Sequence, residues 1–402
     1  MSSPILKNHP PPSGALTFLK LDPTLRYHPI TPKPPGGNPP EEVSPYEPDG
    51  NAPQIYHVWR SRDNRKGRHA ILLPQDAKAA PGHYPPPTNT LASTVRGILK
   101  MFTRFPIWDI SYDVAVVFTF GCVLWVLNGF FVWYPLAAPW SEFPGESDVA
   151  GGWTAFVGAT IFEFGSVLLM LEAVNEKQTE CFGWALESAV ESHTPRLVSP
   201  PEACTHHHAS KPSWISHHPV SSSDSVSPDS RETTLKDTHH KEWVWKPSLH
   251  DLKSRYIYSI SFWACLAQLI GATIFWISGF TALPPINTSL PTPALNGIYW
   301  LPQVVGGTGF IISSLLFMLE VQDKWYLPAP NLLGWHVGFW NLIGSVGFTL
   351  CGALGFAERE GEGVEYALAL STFVGSWAFL VGSVVQWYES LDKYPVSAGA
   401  IS

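Results

Sequence analysis

The sequence predicts an all-α membrane protein. Six transmembrane helices are arranged as three repeated helical hairpins, with a disordered N-terminal tail and a disordered cytosolic insertion. Three observations carry this. Charged residues are only 14% of the 402, and they avoid windows of about 20 apolar residues, enough to cross a hydrocarbon core roughly 30 Å thick. One spacing of Gly, Phe, small residues and Glu recurs three times inside those windows. The rest of the chain is dense in Pro, Ser and His without a helical or strand period.

The elements follow in order. Residues 1–90 ("HPPPSG", "TPKPPGGNPP", "GHYPPPTNT") read as a disordered cytosolic tail with polyproline II character. It is either simply solvated or a docking segment for cytosolic partners of the SH3 or WW type. Its opening residues lack the apolar stretch of a secretory signal, so the first transmembrane helix is expected to act as the targeting signal. Residues 91–108 form an amphipathic juxtamembrane helix. Arg96, Lys100 and Arg104 recur every four residues, and Val95, Ile98, Leu99, Phe102 and Phe105 lie opposite. Such a helix lies in an anionic headgroup layer or simply leads into the membrane.

Apolar windows at 112–135, 152–174, 256–281, 298–320, 335–356 and 366–388 make three transmembrane hairpins: 109–177, 255–325 and 326–394. Residues 178–254 form the Ser/His-rich insertion and 395–402 a C-terminal tail. Lys and Arg gather before the first window, across 178–254, at Lys324 and at Lys393, whereas 136–151 and 282–297 have none. The positive-inside rule then places both termini in the cytosol, in a plasma membrane or endomembrane. Asn287 opens an "NTS" sequon on the opposite side, a candidate N-glycosylation site.

The even windows align without a gap. They read Gly158-x3-Phe162-x2-Gly165-Ser166-x5-Glu172, then Gly306-x3-Phe310-x2-Ser313-Ser314-x5-Glu320, then Gly375-x3-Phe379-x2-Gly382-Ser383-x5-Glu389. The odd windows share Gly121-x3-Trp125-x3-Gly129, Gly271-x3-Phe275-x3-Gly279 and Gly344-x3-Phe348-x3-Gly352. The unit is therefore a helical hairpin, and its copies are expected to be parallel repeats about an axis along the membrane normal. At about 100° per residue the small residues share one helix face. They let backbones approach where lipid removes the hydrophobic drive for association. The stripe reads as helix packing.

Glu172, Glu320 and Glu389 sit at the cytosolic helix ends, where they oppose the helix dipole at a cost of up to about 1 kcal/mol. Lys177, Lys324, Lys393 or a basic group on a neighbouring hairpin is expected to offset that. The three form either an acidic ring for cations or interfacial carboxylates paired with lysines. Glu163 breaks the repeat, standing where the other copies have Ile311 and Leu380. A mid-bilayer carboxylate is costly unless protonated or paired, so it is either a proton or cation site or a protonated packing group. Asn128, Gln268 and Asn341 are its expected companions.

Other chemistry is thinly represented. The histidines of "CTHHH" (204–208) lie in an irregular segment without fixed ligand spacing, so no metal site is expected. No nucleophile, zincin or phosphate-loop motif appears in a sound context, so neither a cofactor nor an enzyme is expected. The net charge of −8 is spread over loops and tails and predicts no nucleic-acid partner. The five cysteines form no CxxC pair, and Cys122, Cys265 and Cys351, inside apolar windows, read as small packing residues and not disulfide partners. Oligomeric state has no signature.

The even-helix motif, "FVGSWAFLVGSVV" and "FVGATIFEFGSVLL", resembles the second helix of the YrhK-like domain, a two-helix membrane unit of unknown function. The whole chain resembles multi-pass proteins of filamentous fungi that carry such units. The resemblance implies fold and membrane location and transfers no catalytic residue; Ser313 departs from its glycine. Three function classes stay open: a non-enzymatic membrane scaffold, a proton- or cation-linked transporter or channel using Glu163, and, least supported, a membrane-embedded enzyme.

Overall fold

The computed structural model describes residues 26–30, 55–73, 86–191 and 243–398. The N-terminal chain contributes strands β1 (Arg26–Ile30) and β2 (Ile55–Trp59), the short helix α1 (Ser61–Arg65) and strand β3 (Ala70–Leu73). Next come α2 (Leu91–Thr103), α3 (Ile110–Ala137), α4 (Gly152–Val174), α5 (Phe182–Glu191) and α6 (Leu249–Ser254). The remainder comprises α7 (Ile260–Thr281), α8 (Leu301–Leu319), α9 (Leu333–Gly355), α10 (Glu362–Ser390) and strand β4 (Val396–Ala398).

Six helices, α3, α4, α7, α8, α9 and α10, are long and apolar enough to cross a membrane. They match the six apolar windows, and the architecture is that of a multi-pass membrane protein. Each packs on the next in the chain and α10 returns onto α3, so the six close into a ring.

Aromatic side chains fill the middle of this ring of helices. Phe162, Phe310 and Phe379, one from each hairpin, lie in mutual contact, with ring centroids 5.8, 6.4 and 6.5 Å apart. Trp125, Phe275 and Phe348 form a second triangle at 4.9, 5.6 and 5.7 Å. Edge-to-face pairs of this kind add about 0.5–1.5 kcal/mol each beyond area burial.

Small residues make these triangles fit. A Cβ on Gly158 would stand 2.9 Å from Trp125, and one on Gly306 2.7 Å from Phe275. A Cβ on Gly121 would lie 2.7 Å from Phe162, and one on Gly344 2.6 Å from Phe379. Trp125, Phe162, Phe275 and Phe379 thus each lie over a glycine of the facing helix, while Gly271 meets the backbone of Gly306 and Gly309. Gly165 faces Phe118, Gly375 abuts Gly344, and Gly382 meets the Asn341 amide. Ser313 Oγ donates across to the Ala264 carbonyl at 2.8 Å, and Ser314 and Ser345 share a 3.3 Å hydrogen bond. Ser166 and Ser383 donate within their own helices. The expected packing stripe therefore faces its neighbours inside the bundle, where close van der Waals contact holds membrane helices together.

Three boundaries differ from expectation. The tail is not wholly disordered: β2, α1 and β3 (residues 55–73) are folded, in a sheet of order β1-β2-β3-β4. The first two pairings are antiparallel, but β3 pairs parallel with β4, so the C-terminal tail also enters the sheet. That pairing puts the N-terminal segment and the C-terminus at one end of the bundle. The insertion is ordered at both margins. Trp243 is buried against Phe182, and Asn175 at the end of α4 exchanges hydrogen bonds of 2.7 and 2.9 Å with the backbone of Val244. The histidines at 204–208 and the proline-rich partner segments lie outside the described residues.

Helix α2 has the expected amphipathic form. Leu91, Val95, Ile98, Leu99 and Phe102 are all exposed along one face. Met101 packs instead with Tyr112 and Leu391, and Gly97 sits against the Tyr388 ring.

Candidate functional site

The segment "RSRDNRKGR" (60–68) builds a cationic knob at one end of the ring. A single helical turn sets Arg62, Arg65 and Lys66 on neighbouring faces of α1, since residues three and four apart are adjacent. Gly67 then adopts φ +61°, and a Cβ there would lie 2.8 Å from Thr179 Oγ1. Only glycine takes this turn without strain, and it swings Arg68 back toward the bundle.

All three repeat glutamates meet this knob. Arg62 Nε and Nη2 donate to Glu389 at 3.2 and 2.7 Å, and Arg68 Nη1 donates to it at 3.0 Å. Arg65 Nε and Nη2 donate to Glu320 at 3.3 and 3.1 Å, while its Nη1 stands 3.2 Å from Glu172. Lys66 Nζ is 3.6 Å from Glu172. Asp63 completes the cluster through Arg68 at 2.9 Å. Four cations thus face four carboxylates, and Glu172, Glu320 and Glu389 are at most 1% exposed. Desolvation offsets much of the attraction in a buried network of this kind, but loss of any one member is strongly penalised.

The odd helices complete each carboxylate differently. Ser111 Oγ donates to Glu172 at 2.9 Å, and Ser261 donates to Glu320. The corresponding residue of the third hairpin is Gly334, where a Cβ would lie 2.5 Å from Arg62 Cδ. Arg62 occupies the room a serine side chain would need and serves Glu389 itself.

Burial opposes the positive charge on Lys66, Arg65 and Arg68. It pushes the Lys66 ammonium down to about 8, only partly offset by Glu172. For Arg65 burial opposes the charge too, yet Glu320 and Glu172 outweigh it and hold the guanidinium well above its usual range. Arg68 is likewise raised, by Asp63 and Glu389 against burial.

The lysines expected to serve the glutamates do other work. Lys393 Nζ lies 2.6 Å from Asp109 and donates to the Lys66 carbonyl at 2.8 Å. Lys324 stands over the Tyr326 ring, and Lys177 makes no ion pair with another described residue. An open acidic ring for cations is absent too, because the carboxylates are already neutralised.

Glu163 and its expected companions do not converge. Glu163 is half-buried at the α4–α7 seam, where Thr273 donates to it at 3.0 Å. Asn128 donates to the Gly151 carbonyl at 2.7 Å and to Thr154 at 3.1 Å. Gln268 and Asn341 instead line a chamber of about 40 Å³ with Gln386, between the Phe162 and Phe379 rings and the Arg62 and Arg65 side chains. At the other end, Asn128, Gln303, Glu358 and Glu365 border a vestibule of about 220 Å³. Asn287 lies at this far end, its amide donating to the Thr281 carbonyl at 3.3 Å.

Sequence reasoning missed Arg62, Arg65, Lys66 and Arg68. The available signal was an imbalance: three helix-end glutamates with few local cations, and one dense cationic run elsewhere in the chain. Comparison with protein-family models, curated proteins and solved structures gives no match, so function rests on this geometry.

Proposed function

We propose that this multi-pass membrane protein is a non-enzymatic scaffold, in which the helical ring fixes a cytosolic N-terminal segment to the membrane. One observation carries the reading: Arg62, Arg65, Lys66 and Arg68 are buried against glutamates from all three hairpins. The segment that precedes the membrane is thereby built into the end of the bundle. The aromatic triangles pack the centre of the ring behind it. The cluster end is cytosolic on the positive-inside rule, and the hairpins are three copies of one unit similar to the YrhK-like domain. The described margins of tail and insertion then share this end of the bundle, positioned for cytosolic partners.

A cation-linked transporter is the second reading, favoured by the amide-lined chamber directly under the basic knob. Flux separates the two. In reconstituted vesicles, the wild type and Glu163→Gln are expected to show equal abundance and no proton or potassium flux. A wild-type flux that Glu163→Gln abolishes would overturn the scaffold reading in favour of transport.

A further inference from the structure

Beside the buried knob lies a second basic feature, in which Arg60 shares Asp63 with the knob and Lys177 has no ion pair with another described residue. A pocket of about 250 Å³ opens between the β2–β3 segment and the end of α4, bordered by Arg60, Asp63, Asn64, Gly67, His69 and Lys177. Asp63 is committed to Arg68 at 2.9 Å and lies 3.6 Å from Arg60. Lys177 is exposed, without an ion pair to another described residue, and is the one described non-glycine residue with positive φ, at 68°. Its N–H donates to the Asn64 carbonyl at 3.1 Å. A backbone contact thus ties the α4 end to the basic segment, and the Lys177 ammonium stands at the pocket without a counter-charge from another described residue.

The depth of the pocket in the membrane can be read from α2. Its exposed apolar face and its cations Arg96, Lys100 and Arg104 mark an interfacial helix. Gly97 of α2 rests on Tyr388, the neighbour of Glu389, and Glu389 is bound by Arg68 of the pocket wall. The pocket therefore sits at headgroup level. Basic pockets beside transmembrane helix ends on the cytosolic face suit phosphorylated headgroups.

We propose that this pocket binds a phosphate ester, with Arg60 of the basic segment and Lys177 of the first hairpin supplying the charge. A phosphate bridging the two would clamp the segment onto the ring. This deepens the scaffold reading and rests on it, since the ligand would govern how firmly the cytosolic segment is held.

Full-length protein in detergent is titrated with dioctanoyl phosphatidylinositol bisphosphate, with inositol trisphosphate and with inorganic phosphate, and binding is followed by native mass spectrometry. Saturable binding is expected, and Lys177→Gly should weaken it at least about fivefold. Glycine suits the positive φ, so Lys177→Gly should melt no lower than wild type, separating lost binding from lost folding. Lys177→Arg should retain binding. Equal affinity for the lipid and for inositol trisphosphate assigns a soluble phosphate ester; preference for the lipid assigns a headgroup. No saturable binding of any probe, or unchanged binding by Lys177→Gly, overturns the proposal. Vesicle flux tests the scaffold reading separately, because a conducting protein can still bind phosphate here.

Discussion

Replacing Arg65 by Met removes the side chain that ties two hairpins to the N-terminal segment. Arg65 is 1% exposed, and its guanidinium lies 3.1 Å from Glu320 and 3.2 Å from Glu172. At an effective dielectric of about 20, each contact contributes about 5 kcal/mol of attraction. Returning the guanidinium to water recovers several kcal/mol of that sum. The deficit falls unevenly. Glu172 keeps Lys66 and Ser111, whereas Glu320 keeps only the Ser261 hydroxyl among the described residues. Removing one partner of a buried pair in this way costs about 3–5 kcal/mol, a factor of roughly 10² to 10³·⁵ in the docking equilibrium. The assay is hydrogen exchange at the Lys66 and Arg68 amides, which donate to Arg62 and Asp63 carbonyls in the docked segment. Arg65→Met should raise their exchange by that factor. Arg65→Met with Glu320→Gln should cost less than the sum of the two single changes, because no buried charge is then stranded at Glu320. Protection lost by less than about 1 kcal/mol in Arg65→Met, or strict additivity in the double variant, would refute the buried network as the lock.

The packing seams and the knob's protonation give two further expectations. Gly271→Ala places a Cβ 2.9 Å from the Gly306 carbonyl and 3.2 Å from Gly309 Cα, both backbone atoms that cannot rotate away. It should destabilise the bundle by about 1–3 kcal/mol in a thermal or SDS titration. Gly363→Ala meets nothing within 4 Å and should be neutral or slightly stabilising. Lys66 releases its proton at about 8 in the folded protein, against 10.5 unfolded. Between those values the unfolded chain binds more protons, so this group's contribution to stability rises with pH and is flat below about 8. Lys66→Met should remove that upward slope from melting temperatures measured between pH 8 and 10.

Much of the helical frame was legible from residue order. Gly158 and Phe162, Gly306 and Phe310, and Gly375 and Phe379 recur at one spacing because a helix repeats its faces locally. A window of apolar residues has one low-energy fate in lipid, a backbone hydrogen-bonded to itself. The packing role of that stripe followed from the same period. Glu163 also stood out, but its mid-window position said nothing about who would stand beside it; Thr273 and the α4–α7 seam answer that.

By itself, then, the sequence determined the six spans, their pairing into hairpins and the glycine–aromatic seams, since each depends on residues within a few helical turns. The folded chain decided everything about the glutamates. A run such as "RSRDNRKGR" prefers water unless carboxylates meet it at hydrogen-bond distance. Those carboxylates come from helix ends more than 100, 250 and 320 positions further along the chain. Closure of the ring of helices brings Glu172, Glu320 and Glu389 together, and their combined charge draws in the arginines that no local pattern assigned to them.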